Sequence, residues 1–378
     1  MDFGFSEQQQ AVQNLARQIL SEQVTSEHLA IYDEYQNEAF DKNLWEKLAH
    51  AGLLGVALDE QYGGMGFGFI ELALFIEEIG RSIAPVPVVP TLVSAALPIQ
   101  RFGSSAQKDR LLAGVASGDS LLTAGLMEAL NEDPAAPILT TAVADGDGFK
   151  VSGSKTCVPF AISATRILVS AKTDDGVVVL LVDPQAAGVL ATAQRVSTYE
   201  PQFQLDLENV VVAAEDVLAG PADGAAVMTW IAERSSVAVC AHQTGLSDQA
   251  MRITSSYTSE RKQFGAPVAT FQAVAHRSAN CFIDVTCLRL NTYQAVSRLD
   301  SDIDATTEVQ IAKIWAGDVG HRVSYASQHM HGGMGIDRDY PLWRLCLWAR
   351  HNEMMLGNSA KQLALLGARI ALGQAYCH

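Results

Sequence analysis

The chain has 378 residues, 48% hydrophobic and 18% charged, enough to bury a sizeable core and long enough for two or three domains. Its formal net charge of −16 sets phosphate repulsion against a nucleic-acid partner, so an anionic ligand can be held only where positive charge is local, as around Arg261, Arg252 and Lys262. The six cysteines, at 157, 240, 281, 287, 346 and 377, form no Cys-x-x-Cys pair and read as reduced intracellular thiols rather than a disulfide framework or zinc site.

The opening Met1-Asp2-Phe3-Gly4-Phe5-Ser6 has no basic region and no apolar core of signal length, and no run of about 18 apolar residues follows. A cytoplasmic protein with no membrane segment is the expectation. Ser6 before Glu7 and Gln8 predicts a helix start, with Val12, Leu15, Ala16, Ile19 and Leu20 recurring at helical spacing. A second amphipathic stretch holds Leu44, Trp45, Leu48 and Ala49, and the glycines at 63, 64 and 66 break the pattern as a turn. An apolar helix over 69–79 carries Glu71, Glu77 and Glu78 and is stopped by Pro85, Pro87 and Pro90, read as an ordered bend. Helices over 92–97 and 107–116 complete a helical domain ending near Gly118.

Between about 121 and 220 the period becomes strand-like. Residues 140–144, 148–153, 166–170 and 177–182 are short β-rich runs punctuated by Asp-Gly and Gly-Ser, which predicts a small antiparallel β domain. Helical periodicity then returns, with helices expected over 222–260, 270–299, 306–330 and 353–372. Joined by short turns, these predict a four-helix bundle.

Between the first two of these helices lies Arg261-Lys262-Gln263-Phe264-Gly265, followed by Phe271-Gln272. Arg261 offers a permanently charged planar fork suited to a pyrophosphate, Gln263 an amide, Phe264 a flat apolar surface, and Gly265 a close backbone turn. Taken alone, an arginine after a helix also suits a solvated charge. Two further segments fix the context: Leu54-Gly55-Val56-Ala57-Leu58 running into Tyr62-Gly63-Gly64-Met65-Gly66, and His331-Gly332-Gly333-Met334-Gly335.

Together, and in this order, the three segments resemble the acyl-CoA dehydrogenase family of flavoproteins, from the first helices to the last. The resemblance implies an α+β, mainly α fold: an N-terminal helical domain (1–118), a middle antiparallel β domain (119–220) and a C-terminal four-helix bundle (221–378) with the FAD and oligomer interface. It implies FAD as cofactor, an acyl-CoA substrate, and an electron-transfer flavoprotein or similar acceptor. It assigns cofactor binding to Arg261, Gln263, Phe264, Gln272, His329, Gly332 and Gly333, with Arg-x-x-Phe-Gly reaching the flavin of a neighbouring subunit. His329 stands where a glutamine normally meets the adenine portion, and histidine keeps one donor and one acceptor. A metal reading of His321, His329 and His331 lacks an acidic or cysteine ligand at tight spacing. No metal is expected.

The chain departs from the family where it would serve its own flavin. Thr-Glu-Pro and its small-residue turn become Met127-Glu128-Ala129-Leu130-Asn131, keeping only the acid. Trp-Ile-Thr-Asn becomes Cys157-Val158-Pro159-Phe160, and a proline lacks both the hydroxyl and the backbone N–H of a threonine. The reaction needs a dry carboxylate to take the α-proton, and most relatives draw it from Tyr-Glu-Gly-Thr; here Met355-Leu356-Gly357-Asn358 puts leucine in that place.

A minority of relatives place the base in a Glu-Arg pair on the helix before Arg-x-x-Phe-Gly. Glu233-Arg234 is the counterpart, but it lies two residues further upstream, a rotation of about 200° on a regular helix. Glu353 is a weaker candidate. Degraded own-site groups beside intact lent groups resemble the heteromeric acyl-CoA dehydrogenases, associated with bulky substrates such as steroid side-chain acyl-CoAs. Two expectations stand: a dehydrogenase, alone or as half of a heteromer, with Glu233 as catalytic base, or a non-catalytic partner that completes another subunit's flavin site.

Overall fold

The computed structural model describes residues 4–35 and 40–375; the expectations on Cys377 and on the Met1-Asp2-Phe3 start lie outside the described residues. The first helix, α1 (Glu7–Gln23), begins at a capping box in which Ser6 accepts from the Gln9 N–H and the Gln9 side chain returns to the Ser6 N–H. Its buried stripe is Val12, Ala16 and Leu20, while Leu15 is left partly outside at 38% exposure. Next come α2 (Ser26–Leu29), α3 (Lys42–His50), α4 (Phe69–Ser82), α5 (Leu97–Phe102) and α6 (Ser105–Ser117). The stretch read as one helix over 92–97 is a π-helix, Val89–Ala96, with Pro90 in its first turn, where a missing N–H costs nothing.

Strands β1 (Leu122–Gly125), β2 (Thr141–Asp145), β3 (Gly148–Pro159), β4 (Arg166–Thr173), β5 (Gly176–Val182), β6 (Val189–Gln194), β7 (Gln202–Val212) and β8 (Val217–Ala219) follow. They form one sheet in the order β6-β7-β3-β2-β4-β5-β8, with β1 beside β4. Its ladders are antiparallel except where β1 and β2 run parallel to β4. The core beneath it is Val151, Val158, Phe160, Ile167, Val169, Leu180, Phe203 and Leu205, all buried.

The C-terminal third holds α7 (Gly224–Glu260), a hairpin of β9 (Lys262–Gln263) and β10 (Ala266–Pro267), α8 (Gln272–Asp300), α9 (Thr306–His331), α10 (Leu342–Met354) and α11 (Ser359–Ala371). The single helix expected over 353–372 is therefore two. Leu356 and Gly357 take left-handed backbone at φ +55° and +91°, which an α-helix cannot continue, and the Asn358 side chain then caps α11 through the Lys361 N–H. Among the described residues no helix is long and apolar enough to cross a membrane.

By contacts the chain forms two compact units, one of residues 29–72 and 85–235 and the other of residues 1–28, 73–84 and 236–378. In the second, α4 and α7 meet backbone to backbone. A Cβ on Gly245 would lie 1.8 Å from the Glu77 carbonyl oxygen, and one on Gly80 2.0 Å from that of His242, so glycine is required at both. The same seam buries a charge network. Glu77 and Glu78 are each 1% exposed; Arg81 pairs with both and with Asp248, Arg289 and Tyr293 reach Glu77, and Arg17 reaches Glu78. Every carboxylate there has a cation, the condition under which buried charge is tolerated.

Candidate functional site

Arg261 follows the last residue of α7. Its N–H donates to the Tyr257 carbonyl at 2.8 Å and its carbonyl accepts from Val268 at 2.7 Å, so the backbone is pinned while the side chain stays exposed. Among the described residues the guanidinium meets no carboxylate. Phe264, at the tip of the hairpin, is 96% exposed with left-handed backbone at φ +54°. An aromatic ring held out at a strained position is the form of a surface that something else covers. Gln263 and Gln272 are exposed beside it.

The local charge is smaller than the sequence indicates. Arg252 is four residues after Asp248 on α7 and donates to its carboxylate at 2.8 Å, an i,i+4 pair that neutralises it. Arg261 and Lys262 remain.

Gly332 and Gly333 end α9. Gly332 has φ +61°, and a Cβ on either glycine would meet nothing within 4 Å, leaving an open cradle. Tyr257, one turn before Arg261, joins the two glycine segments: its ring stacks on His331 with centroids 4.3 Å apart, and His331 in turn bonds the Ser327 carbonyl and the Tyr340 hydroxyl. The 261–272 segment and the 329–333 segment are thereby brought to the same end of this unit. His329 is exposed and held by Arg277. His321 meets Arg350, so the three histidines of the metal reading face different partners. Among the described residues no group of three or more His, Cys, Asp or Glu could hold a metal.

In the other unit, the segment 156–160 has committed its backbone donors. The Thr156 N–H goes to Met127 and the Phe160 N–H to Pro201, each at 2.9 Å. The Cys157 N–H goes to Gln194 Oε1 at 2.9 Å, and Gln194 Nε2 returns to Thr156 Oγ1 at 3.0 Å. Val158 sits in the ladder opposite Phe203. Pro159 has no N–H, and its carbonyl accepts from Thr123 Oγ1 at 2.7 Å. Phe160 is 3% exposed, inside the sheet core. The residues fit FAD unequally: the 261–272 and 329–333 segments offer an unpaired guanidinium, an exposed ring and a glycine cradle, whereas the backbone N–H groups of Thr156, Cys157 and Phe160 are spent within the protein and Pro159 has none.

Glu128, the one acid kept from the family turn, is structural. Lys155 is fully buried and donates to Glu128 Oε1 at 2.8 Å, while the carboxylate also accepts from Ile138, Leu139 and Thr140 N–H. Sequence reasoning passed over Lys155, which stands between Ser154 and Thr156 on β3 and carries no local mark of its burial.

Leu356 is 6% exposed, in the left-handed turn after α10. Lys313, fully buried, donates to the Asn352 and Glu353 carbonyls at 3.0 and 3.1 Å and caps that helix end. The Glu353 carboxylate is tied to Arg350 at 2.6 Å. Glu233 is half-buried on α7; its neighbour Arg234 is 5% exposed, with its guanidinium 3.7 Å from the Trp230 ring centre. The helix runs without interruption from Gly224 to Glu260, so no irregularity absorbs the two-residue offset of Glu233.

Two family models match: the acyl-CoA dehydrogenase N-terminal domain over residues 6–119 and the acyl-CoA dehydrogenase C-terminal domain over 222–371. The chain is 34% identical to acyl-CoA dehydrogenase FadE27 of Mycobacterium tuberculosis, covering 98% of this chain and 99% of that one. Among solved structures it is similar to a single-residue variant of the Tcur3481-Tcur3483 steroid ACAD, with 39% identity, a TM-score of 0.91 and coverage of 98% and 99%. It is also similar to the ChsE4-ChsE5 complex from Mycobacterium tuberculosis, with 33% identity, a TM-score of 0.92 and the same coverage.

Proposed function

The chain belongs to the acyl-CoA dehydrogenase family, FAD-dependent oxidoreductases acting on the CH–CH bond of acyl-CoA thioesters, and from that we propose that it is one subunit of a heteromeric enzyme. In this reading it lends the 261–272 and 329–333 segments to a flavin held with a second family member, on a bulky acyl-CoA such as a steroid side-chain thioester. Its helical, β and bundle portions (1–118, 119–220 and 221–378) divide the work as in the family.

The observation that carries this reading is Leu356. Leu356 stands where most relatives carry the base, in a turn with left-handed backbone after a helix end capped by Lys313, and a leucine side chain can take no proton. Two further observations support it. The backbone N–H groups of Thr156, Cys157 and Phe160 are committed internally, and α8 leaves Phe282, Ile283 and Leu290 exposed at 61%, 57% and 63%, apolar area of the kind a partner covers. The similarity to two complexes named for paired subunits, one of them a steroid ACAD, supports the pairing and the substrate class.

Arg261, Gln263, Gln272, His329 and the Gly332-Gly333 turn would hold the phosphate and adenine end of FAD, with Phe264 against its ring system. The bound flavin supplies the hydride acceptor. Arg261 would contribute fixed charge to the pyrophosphate, and the apolar ring of Phe264 would shield that edge from water once covered. The α-proton goes to a carboxylate of the second subunit.

Glu233→Gln in the assembled enzyme tests the division of labour. The expected outcome is kcat/KM within about threefold of wild type. A loss of the order of 10²–10⁴, the usual contribution of a general base, would restore Glu233 as the base and make this chain catalytic.

A further inference from the structure

Arg277, in the second turn of α8, is 52 residues from His329, in the last turn of α9, and its Nη1 lies 2.8 Å from His329 Nδ1. A guanidinium has donors and no acceptor. Nδ1 must therefore be the bare nitrogen, and the ring proton sits on Nε2. The Tyr325 ring, one turn earlier on α9, lies nearly parallel to the imidazole at 14° with centroids 6.4 Å apart.

Among the described residues Arg277 meets no carboxylate, so its charge is not neutralised. The pair presents N–H groups only: the remaining donors of the guanidinium and the Nε2–H. A glutamine in place of His329 would offer a donor and an acceptor in either orientation. Gly332 and Gly333 stand open a few residues after His329, so no described residue fills the space where their Cβ atoms would be.

We infer that Arg277 is a further cofactor-binding residue of this chain, forming with His329 a donor-only grip on acceptor atoms of the ADP half of FAD. The inference rests on reading 329–333 as part of the flavin site. Arg277 acts in two ways, by holding the His329 tautomer and by placing a positive charge beside the nucleotide. Phosphate oxygens and bare ring nitrogens satisfy such a grip; an exocyclic amino group does not.

The test uses the protein in its native assembly, freed of flavin and titrated calorimetrically with ADP and with adenosine. Wild type is expected to prefer ADP, with Arg277→Gln weakening ADP at least tenfold and adenosine much less. Arg277→Lys keeps the charge but not the fork and should fall between. Selective ¹⁵N-histidine labelling, with His329→Gln to identify the resonance, gives a second readout: a bare Nδ1 and protonated Nε2 in wild type, a tautomer mixture in Arg277→Gln. ADP affinity unchanged in Arg277→Gln, while Arg261→Met weakens it, overturns this inference and leaves the site reading standing. Wild type that ignores ADP overturns the site reading and the inference with it.

Discussion

Arg261→Met in the assembled enzyme is expected to lower FAD affinity by one to two orders of magnitude while leaving the thermal midpoint of the flavin-free protein unchanged. The guanidinium is exposed and unpaired among the described residues, so its loss removes nothing from the fold, and surface changes of that kind usually fall within about 0.5 kcal/mol. Toward a pyrophosphate it is a bidentate, charge-assisted donor, and hydrogen bonds to charged groups contribute about 1.5–3 kcal/mol. At about 1.4 kcal/mol per decade, that is the predicted range. Arg261→Lys keeps a point charge without the fork and should retain part of the affinity. The checks are flavin retained through gel filtration and the dissociation constant by fluorescence; a variant that keeps its full flavin would remove this segment from the cofactor site.

Glu128→Gln is expected to destabilise the unit that holds the sheet by about 3–5 kcal/mol, because it strands the fully buried Lys155 ammonium without its counter-ion. Lys155 would keep the Ser170 hydroxyl at 3.3 Å and at most a neutral amide oxygen, while the new NH2 would face the Ile138, Leu139 and Thr140 N–H donors or the ammonium itself. The double change Glu128→Gln with Lys155→Met should recover a large part of the loss, since removing both charges leaves no unpaired ion. Burial by itself raises the Glu128 carboxyl, but the Lys155 ammonium and the Leu139 and Ile138 N–H groups outweigh it and hold the pKa at about 2, below the ordinary 4.5. A folded-state value below the unfolded one means that the carboxylate stabilises the protein above about 4.5 and that this is lost as pH falls toward 2. Wild type should therefore lose stability across that interval, and Glu128→Gln should lose less there. Denaturant melts at several pH values read both; equal slopes in the two proteins would contradict the assignment.

Much of this architecture is legible in the residues because local rules and the global fold agree. Ser6 with Gln9 spells a capping box that the structure forms, and the β-rich runs at 148–153, 166–170 and 177–182 all fall within strands. What stays hidden has specific causes. Lys155 and Lys313 look like surface residues, since nothing local says that a lysine on an apolar strand or helix has a carboxylate or two carbonyls waiting inside. The break at Leu356 is marked in the sequence by Gly357 and the capping Asn358, a stop and a start that the apolar residues on either side draw attention away from. Arg252 looks like free charge until its spacing to Asp248 is read as a helical pair. The Arg277–His329 contact joins residues 52 positions apart, which no motif on either helix announces.

For the proposed cofactor site, the residue types are readable at 261–272 and 329–333, and the structure adds that Tyr257 on His331 ties the two segments together. The sequence also shows that Pro159 cannot donate. It does not show that Gln194 occupies the neighbouring Cys157 N–H, a second backbone donor that this segment cannot offer outward.

A chain that lends part of a flavin site and does not fill one alone should hold little cofactor by itself. The visible absorption spectrum of the chain purified alone, with a count of flavin per chain, reads this, and the measurement is then repeated after co-expression with a second family member. The expected result is a colourless protein alone and about one FAD for each pair of unlike chains together. A full flavin band with about one FAD per chain in the protein alone would contradict the shared site.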